Sequence, residues 1–187
     1  MKTTRETLES VLTFIIAPTK GSRPSLSHVK VSEDGGSIVS ANPFELAIAP
    51  VEEGSDLAGK ILDAEALRAF LKLKPIARDV TLVPSADGTH AVAGSPRTGD
   101  HDIPYINATF PEYRQYSTPY SKDARTPPFA WTNTMMANIT KATKGRTIRI
   151  YPGESNKTQA VITVAPEHGG GGEPTLKIIV MPAFVIW

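Results

Sequence analysis

One pattern occurs three times along this chain of 187 residues: an amphipathic helix signal followed by a strand, a tight turn and a second strand. The helix patterns begin near Thr4, Asp63 and Trp131. The hairpin patterns that follow cover residues 28–42, 79–94 and 147–166. Self-similarity at a period of roughly 60 residues indicates a fold built by packing copies of one supersecondary unit.

Each helix pattern has one apolar face. The first carries its stripe at Leu8, Val11, Leu12, Ile15 and Ile16. Thr3 and Glu6 have the spacing of a capping box at its start, and Pro18 is expected to end it.

The second and third helices are predicted in the same way. Asp63 is the expected N-cap of the second helix, which buries Leu67, Phe70 and Leu71 and ends before Pro75. The third helix is predicted to bury Met135, Met136 and Ile139, with Gly145 as a left-handed C-cap.

The strands predict antiparallel sheets with one buried face. Apolar and polar residues alternate along them, and Asp34-Gly35-Gly36 and Asp87-Gly88 are hairpin signals. The fold class is therefore α+β, with about three repeat units in which a helix packs on an antiparallel sheet. We expect a complete two-unit domain at 1–119, a linker at 120–128, and a shortened domain of one unit plus a C-terminal strand at 129–187.

Bulk composition excludes several classes of protein. The 20 Lys and Arg residues against 19 Asp and Glu residues leave a net charge of +1, so a nucleic-acid site would have to come from local charge arrangement. The absence of cysteine excludes disulfides and cysteine-based zinc sites. No signal peptide or long apolar run is present, which predicts a cytoplasmic protein without a membrane partner.

Three segments, in order, resemble the bacterial DNA polymerase III beta subunit, the sliding clamp. SIVSANPFELAIAP at 37–50 is similar to a strand–turn–strand of that family. INATFPEYRQYSTP at 106–119 resembles its Phe-Pro-Asp-Tyr-Arg signature, and IIVMPAF at 178–184 resembles its C-terminal Val-Met-Pro-Met tail. The chain departs from the family in its turn, which reads Asn42-Pro43-Phe44-Glu45 where Asp-Gly-His-Arg is usual.

The resemblance implies a ring that encloses duplex DNA and touches phosphates through basic groups on inward helix faces. Such contacts are sequence-independent and salt-sensitive. The residues that this expectation assigns to DNA are Arg68, Lys72, Lys74, Lys141, Lys144 and Arg146. From the residues alone, ordinary solvated helix faces are the competing interpretation.

The resemblance also implies an apolar pocket that takes short linear peptides from a DNA polymerase or other client. Its expected residues are Ala41, Pro43, Phe44 and Leu46, then Pro111, Gln115 and Tyr116, then Val180, Met181, Pro182, Ala183 and Phe184. Methionine and aromatic side chains suit an adaptable cleft of this kind. The competing interpretation is that Met181 and Phe184 fill a core.

No catalytic constellation emerges from the sequence. Asp100-His101-Asp102 is interpreted as a solvated loop, because three adjacent side chains point in different directions. The glycine run at 169–172 lacks the Lys-Ser/Thr of a phosphate-binding loop. We therefore expect no enzymatic activity, no metal and no cofactor.

Helix counting extends the resemblance to an oligomeric state. Rings of this family are lined by twelve helices, so three helices in each chain favour a homotetramer, and a hidden fourth unit would give a trimer. A clamp loader is a further expected partner. The alternative is a non-ring peptide-binding or regulatory module that keeps the pocket and does not encircle DNA.

Overall fold

The computed structural model describes residues 1–15, 24–51, 55–73, 78–114, 132–144, 146, 148–151, 160–164 and 175–181. The helices are α1 (Arg5–Leu12), α2 (Ala64–Lys72) and α3 (Asn133–Thr143), with a 3-10 turn at Pro24–Ser27. The strands are β1 (Lys2–Thr4), β2 (Val29–Val31), β3 (Ser37–Ala41), β4 (Glu45–Pro50), β5 (Ile61–Leu62), β6 (Asp79–Pro84), β7 (His90–Ser95), β8 (Thr98–Pro104), β9 (Ile148–Tyr151), β10 (Ala160–Val164) and β11 (Leu176–Val180).

The predicted repeat is present as three units of one helix and three antiparallel strands. Unit 1 is α1 with β2, β3 and β4, unit 2 is α2 with β6, β7 and β8, and unit 3 is α3 with β9, β10 and β11. The α+β class is confirmed.

Units 1 and 2 exchange strands. β1 precedes α1 but pairs with β6 of unit 2, with Thr3 opposite Val80. β5 precedes α2 but pairs with β2 of unit 1, with Val29 opposite Leu62. Each unit therefore supplies the edge strand of the other unit's sheet.

A direct sheet junction joins units 1 and 3. β4 pairs antiparallel with β11, with Ala47 opposite Ile178, so one seven-stranded sheet runs β5-β2-β3-β4-β11-β10-β9. Unit 2 forms a separate four-stranded sheet in the order β1-β6-β7-β8. The predicted division into two domains and a linker stays a prediction.

The main core lies between the helices and one face of the sheets. Leu8 and Val11 of α1, Leu67 and Phe70 of α2, and Ile139 of α3 are almost fully buried in it. Deep burial of these side chains, at about 25 cal/mol per Å² of apolar area, is the main favourable term that holds helices to sheet.

The helix ends differ from the predictions in two ways. The N-cap of α1 is Thr4, whose hydroxyl accepts from the N–H of Thr7, because Thr3 belongs to β1. Asp63 caps α2 as predicted. The left-handed C-cap of α3 is Lys144, with φ of 49°, and Gly145 lies outside the described residues, as do Ile16, Pro18 and Pro75.

Two further predictions are wrong. Met136 is 42% exposed, because it lies on the flank of α3 beside the buried face that Met135 and Ile139 share. Asp100, His101 and Asp102 lie in β8, paired with β7, and do not form a loop.

Candidate functional site

A groove runs along the three helices, with α1 in the middle and α2 and α3 on either side. It is about 590 Å³ in volume. This helix groove is lined by Arg5, Glu9, Leu12, Thr13, Ile15, Arg68, Leu71, Lys72, Lys141 and Lys144. Five basic side chains and a single acidic one make it locally cationic on a chain with net charge +1.

The helix groove brings together four of the six cations predicted to face DNA. Arg68 and Lys72 come from α2, and Lys141 and Lys144 come from the end of α3. Arg146 instead lines a separate cavity at the start of α1, where it lies 3.5 Å from Glu6. Lys74 lies outside the described residues.

Arg68 has an internal role in this groove. Its Nη2 donates to the carbonyl oxygens of Leu12 at 3.0 Å and Ile15 at 3.4 Å, just beyond the end of α1. The Leu12 carbonyl also accepts from the N–H of Ile15 at 3.4 Å, and a guanidinium is a favourable further partner for carbonyls at the C-terminal end of a helix. Arg68 therefore ties α2 to the C-terminal end of α1.

Lys144 and Arg5 both bind the acidic residue of the groove. Lys144 Nζ and Arg5 Nε donate to the two carboxylate oxygens of Glu9. Burial works to raise the pKa of Glu9, but these two hydrogen bonds outweigh it and hold that pKa below its usual range. Glu9 thus stays ionised and neutralises part of the basic charge.

Lys72 and Lys141 are the exposed cations of the groove that Glu9 does not hold. Within the described part of the chain neither forms an ion pair. Lying on α2 and α3, they flank α1 from opposite sides. They are the side chains most available to an anionic ligand.

A second cavity of about 300 Å³ lies on the opposite face of the seven-stranded sheet, beside the β3–β4 turn. This turn pocket is lined by Leu26, Ala41, Asn42, Pro43, Phe44, Glu45, Leu46, Phe110, Pro111, Glu112, Tyr113, Ile179 and Met181. Phe44 is 63% exposed and Met181 is 37% exposed, so both present apolar surface to a ligand.

Asn42 shapes the rim of the turn pocket. Its Oδ1 accepts from the N–H groups of Phe44 at 2.9 Å and Glu45 at 2.8 Å. Its own N–H donates to the Glu45 carbonyl, which closes a two-residue hairpin around Pro43 and Phe44. The N–H of Met181 donates to the Phe44 carbonyl at 3.0 Å, so the end of β11 is fixed against the turn.

The floor of the turn pocket is a small apolar cluster separate from the main core. Phe110 and Tyr113 meet edge to face with their centroids 6.2 Å apart, beside Leu46 and Ile179. Burial raises the pKa of the Tyr113 hydroxyl. A firm apolar floor under an exposed methionine and phenylalanine suits a cleft for large apolar side chains.

Six of the predicted pocket residues line this cavity, and one does not. The six are Ala41, Pro43, Phe44, Leu46, Pro111 and Met181. Val180 is fully buried in the main core, because successive strand residues face opposite sides of the sheet. Gln115, Tyr116, Pro182, Ala183 and Phe184 lie outside the described residues.

Sequence reasoning missed several pocket residues. Because side chains alternate between the two faces of β11, Ile179 lies on the pocket side with Met181. It takes the place that the resemblance assigned to Val180. Phe110 and Tyr113 lie within the segment 106–119, and their large aromatic side chains are the sequence signal that could have indicated them as pocket residues. Leu26 precedes β2 in a segment with no sequence signal for a site.

The described residues provide neither a metal centre nor a helix that could span a membrane. Among the described residues, no three His, Asp or Glu side chains lie together in a way that could hold a metal ion. The helices in the described ranges are also too short or too polar to cross a bilayer.

The fold defines a class of protein built from clamp-type helix-and-sheet repeats. At the level of sequence, no protein-family model and no curated protein matches the chain. Among solved structures, the chain is similar to beta subunits of DNA polymerase III, which establishes the fold.

The similarity extends over nearly the whole chain. It covers 99% of the chain against the beta subunit of Streptococcus pyogenes, with 13% identity and a TM-score of 0.66. The subunit of Pseudomonas aeruginosa gives 12% identity and a TM-score of 0.65, and the beta chain of Streptococcus pneumoniae gives 12% and 0.64. The chain spans 64–66% of the length of these proteins.

Proposed function

We propose that this protein is a DNA sliding clamp: a homo-oligomeric ring that encircles duplex DNA and tethers a DNA polymerase or another client to it. The observation that carries the proposal is the helix groove, which gathers cations from two helices far apart in sequence onto one face. The fold shared with DNA polymerase III beta subunits supports the same function.

The helix groove suits a ligand that must slide. Lysine is a flexible point charge, and its contacts to phosphate carry no sequence information. Lys72 and Lys141 are exposed on either side of α1, while Arg68 and Lys144 are held by internal partners. A few mobile lysines would hold duplex DNA without fixing its position.

The turn pocket is proposed as the site for client peptides. Its exposed Phe44 and Met181 surround an apolar floor, so a short segment with two large apolar residues would bury them there. A cavity of about 300 Å³ is small, which fits a linear segment better than a globular surface. A clamp loader would be a further client.

The test is the salt dependence of DNA binding by a Lys72→Ala/Lys141→Ala variant. If both lysines contact phosphate, the slope of log K against log [salt] falls by about 1 to 2 in magnitude. The matched control is Lys60→Ala/Arg97→Ala, which removes two exposed cations that do not line the groove. Fluorescence anisotropy on a labelled duplex gives both slopes.

Equal slopes for the two double variants would contradict the DNA-facing groove. That result, together with peptide binding at the turn pocket, would instead favour a peptide-binding module that does not encircle DNA.

A further inference from the structure

The first strand of the unit has two neighbours in both unit 1 and unit 2. β2 lies between β3 and β5, and β6 lies between β7 and β1. In both cases the outer neighbour is the strand exchanged from the sister unit. β9 is the first strand of unit 3, and among the described residues it pairs with β10 alone.

The side chains of β9 show the effect of a missing sister unit. Val29 and Val31 of β2, and Val80 and Leu82 of β6, are 0–1% exposed. The equivalent positions in β9 are Ile148, which is only partly buried, and Ile150, which is 43% exposed. The alternating apolar side chains are thus buried in β2 and β6, whereas those of β9 are partly exposed.

One flank of α3 is exposed in the same way as β9. Lys141 lines the groove beside α1, and Met136 is five residues earlier, roughly 140° around the helix. Met136 therefore lies on the side away from α1, where it is 42% exposed. In the complete pair of units, the two helices α1 and α2 pack against each other.

We infer that a second copy of unit 3 covers β9 and this flank of α3 about a twofold axis, so that two chains complete one two-unit domain between them. The internal template is the strand exchange between units 1 and 2. The sister unit must itself have a first strand that is open at one edge, and within the described part of the chain only unit 3 has one. A self-complementary contact between identical patches is therefore the fitting solution.

A chain of three units has one unit without a sister, and this contact supplies the sister from a second chain. Two chains joined through unit 3 hold six units, which is three complete pairs, and two such dimers supply twelve helices. As a step in building a ring, the inference rests on the proposed function. As a dimer contact, it is tested separately.

The experiment is the solution mass, by light scattering, of the wild type and of Ile150→Glu and Met136→Glu. Both side chains are exposed within one chain, so the substitutions leave each chain folded, as circular dichroism checks. We expect each variant to have half the mass of the wild type. Val83→Glu is the matched control, because Val83 is also 43% exposed and lies in β6, the equivalent strand of unit 2, and it should keep the wild-type mass.

Three results would overturn the inference: a single-chain mass for the wild type, unchanged masses for Ile150→Glu and Met136→Glu, or an equal loss with Val83→Glu. Collapse of a wild-type assembly of three or more chains directly to single chains would also overturn it, because only a head-to-tail ring has one kind of contact. Unchanged masses with DNA retention intact would leave the clamp function standing. Halved masses without DNA retention would support the dimer contact and contradict the clamp function.

Discussion

Gly35 and Gly88 have the same backbone conformation in equivalent hairpins but different surroundings. Both have φ of 69°, in the left-handed region that favours glycine. A Cβ added at Gly35 would lie 2.5 Å from the backbone nitrogen of Ser55, whereas one added at Gly88 would meet nothing within 4 Å. Gly35 is thus required both by its backbone and by a neighbouring segment.

Substitution of the two glycines by alanine separates these effects. Gly88→Ala should lower the free energy of unfolding by about 1 kcal/mol, the cost of the left-handed backbone. Gly35→Ala should cost at least twice as much, because the Ser55 backbone must also move. Urea denaturation at equilibrium measures both, and equal losses would contradict the close approach.

Phe44 is expected to contribute to peptide binding and little to stability, whereas Phe110 is expected to contribute mainly to stability. Phe44→Ala should change the free energy of unfolding by less than about 0.5 kcal/mol, because the ring is 63% exposed. Phe110→Ala should cost about 3–5 kcal/mol, because that ring is 7% exposed in the pocket floor. Urea denaturation gives both values.

Binding of a fluorescein-labelled peptide with adjacent Leu and Phe completes this comparison. Phe44→Ala should weaken it at least about tenfold, the equivalent of 1.4 kcal/mol. Retention of wild-type affinity by Phe44→Ala would show that the exposed ring is not part of the peptide site.

At the scale of the elements, Arg68 acts first as a link between helices. Its two hydrogen bonds to the carbonyls of Leu12 and Ile15 join α2 to the end of α1. Lys72 lies one turn further along α2 and is exposed. A loss of DNA binding after substitution of Arg68 would therefore mix a structural effect with a contact to DNA.

Arg68→Ala should lower the free energy of unfolding by about 1.5–3 kcal/mol, because hydrogen bonds from a charged donor are lost. Lys72→Ala should stay within about 0.5 kcal/mol of the wild type. Thermal and urea unfolding of the two variants measure this difference. A Lys72→Ala loss as large as that of Arg68→Ala would contradict the separate roles.

The helices and hairpins could be predicted from the sequence because their signals are local. Asp63 caps α2 as its type and position indicate, and the Asp-Gly pairs mark turns with positive φ at Gly35 and Gly88. Met136 was misassigned because helical periodicity places it at the border of the apolar face. Whether such a border residue is buried depends on what packs beside the helix, which the periodicity does not contain.

At the scale of the whole molecule, the arrangement of the units depends on pairings between distant residues. The exchange of β1 and β5 and the junction of β4 with β11 join segments whose sequences do not indicate which strand they pair with. Six of the thirteen residues that line the turn pocket were predictable through resemblance, but its floor also needs Leu26, Phe110 and Ile179 from three separate segments. The groove cations were predictable from helical spacing, whereas the internal partners of Arg68 and Lys144 depend on how the helices pack.

The most direct test of the clamp proposal is retention on a duplex whose ends are blocked. Protein is incubated with a linear duplex carrying biotin at both ends, streptavidin is added to half of the sample, and both halves are moved to high salt to weaken phosphate contacts. A ring that encloses DNA should remain on the blocked duplex and slide off the open one. Dissociation from both duplexes at the same rate would contradict encirclement.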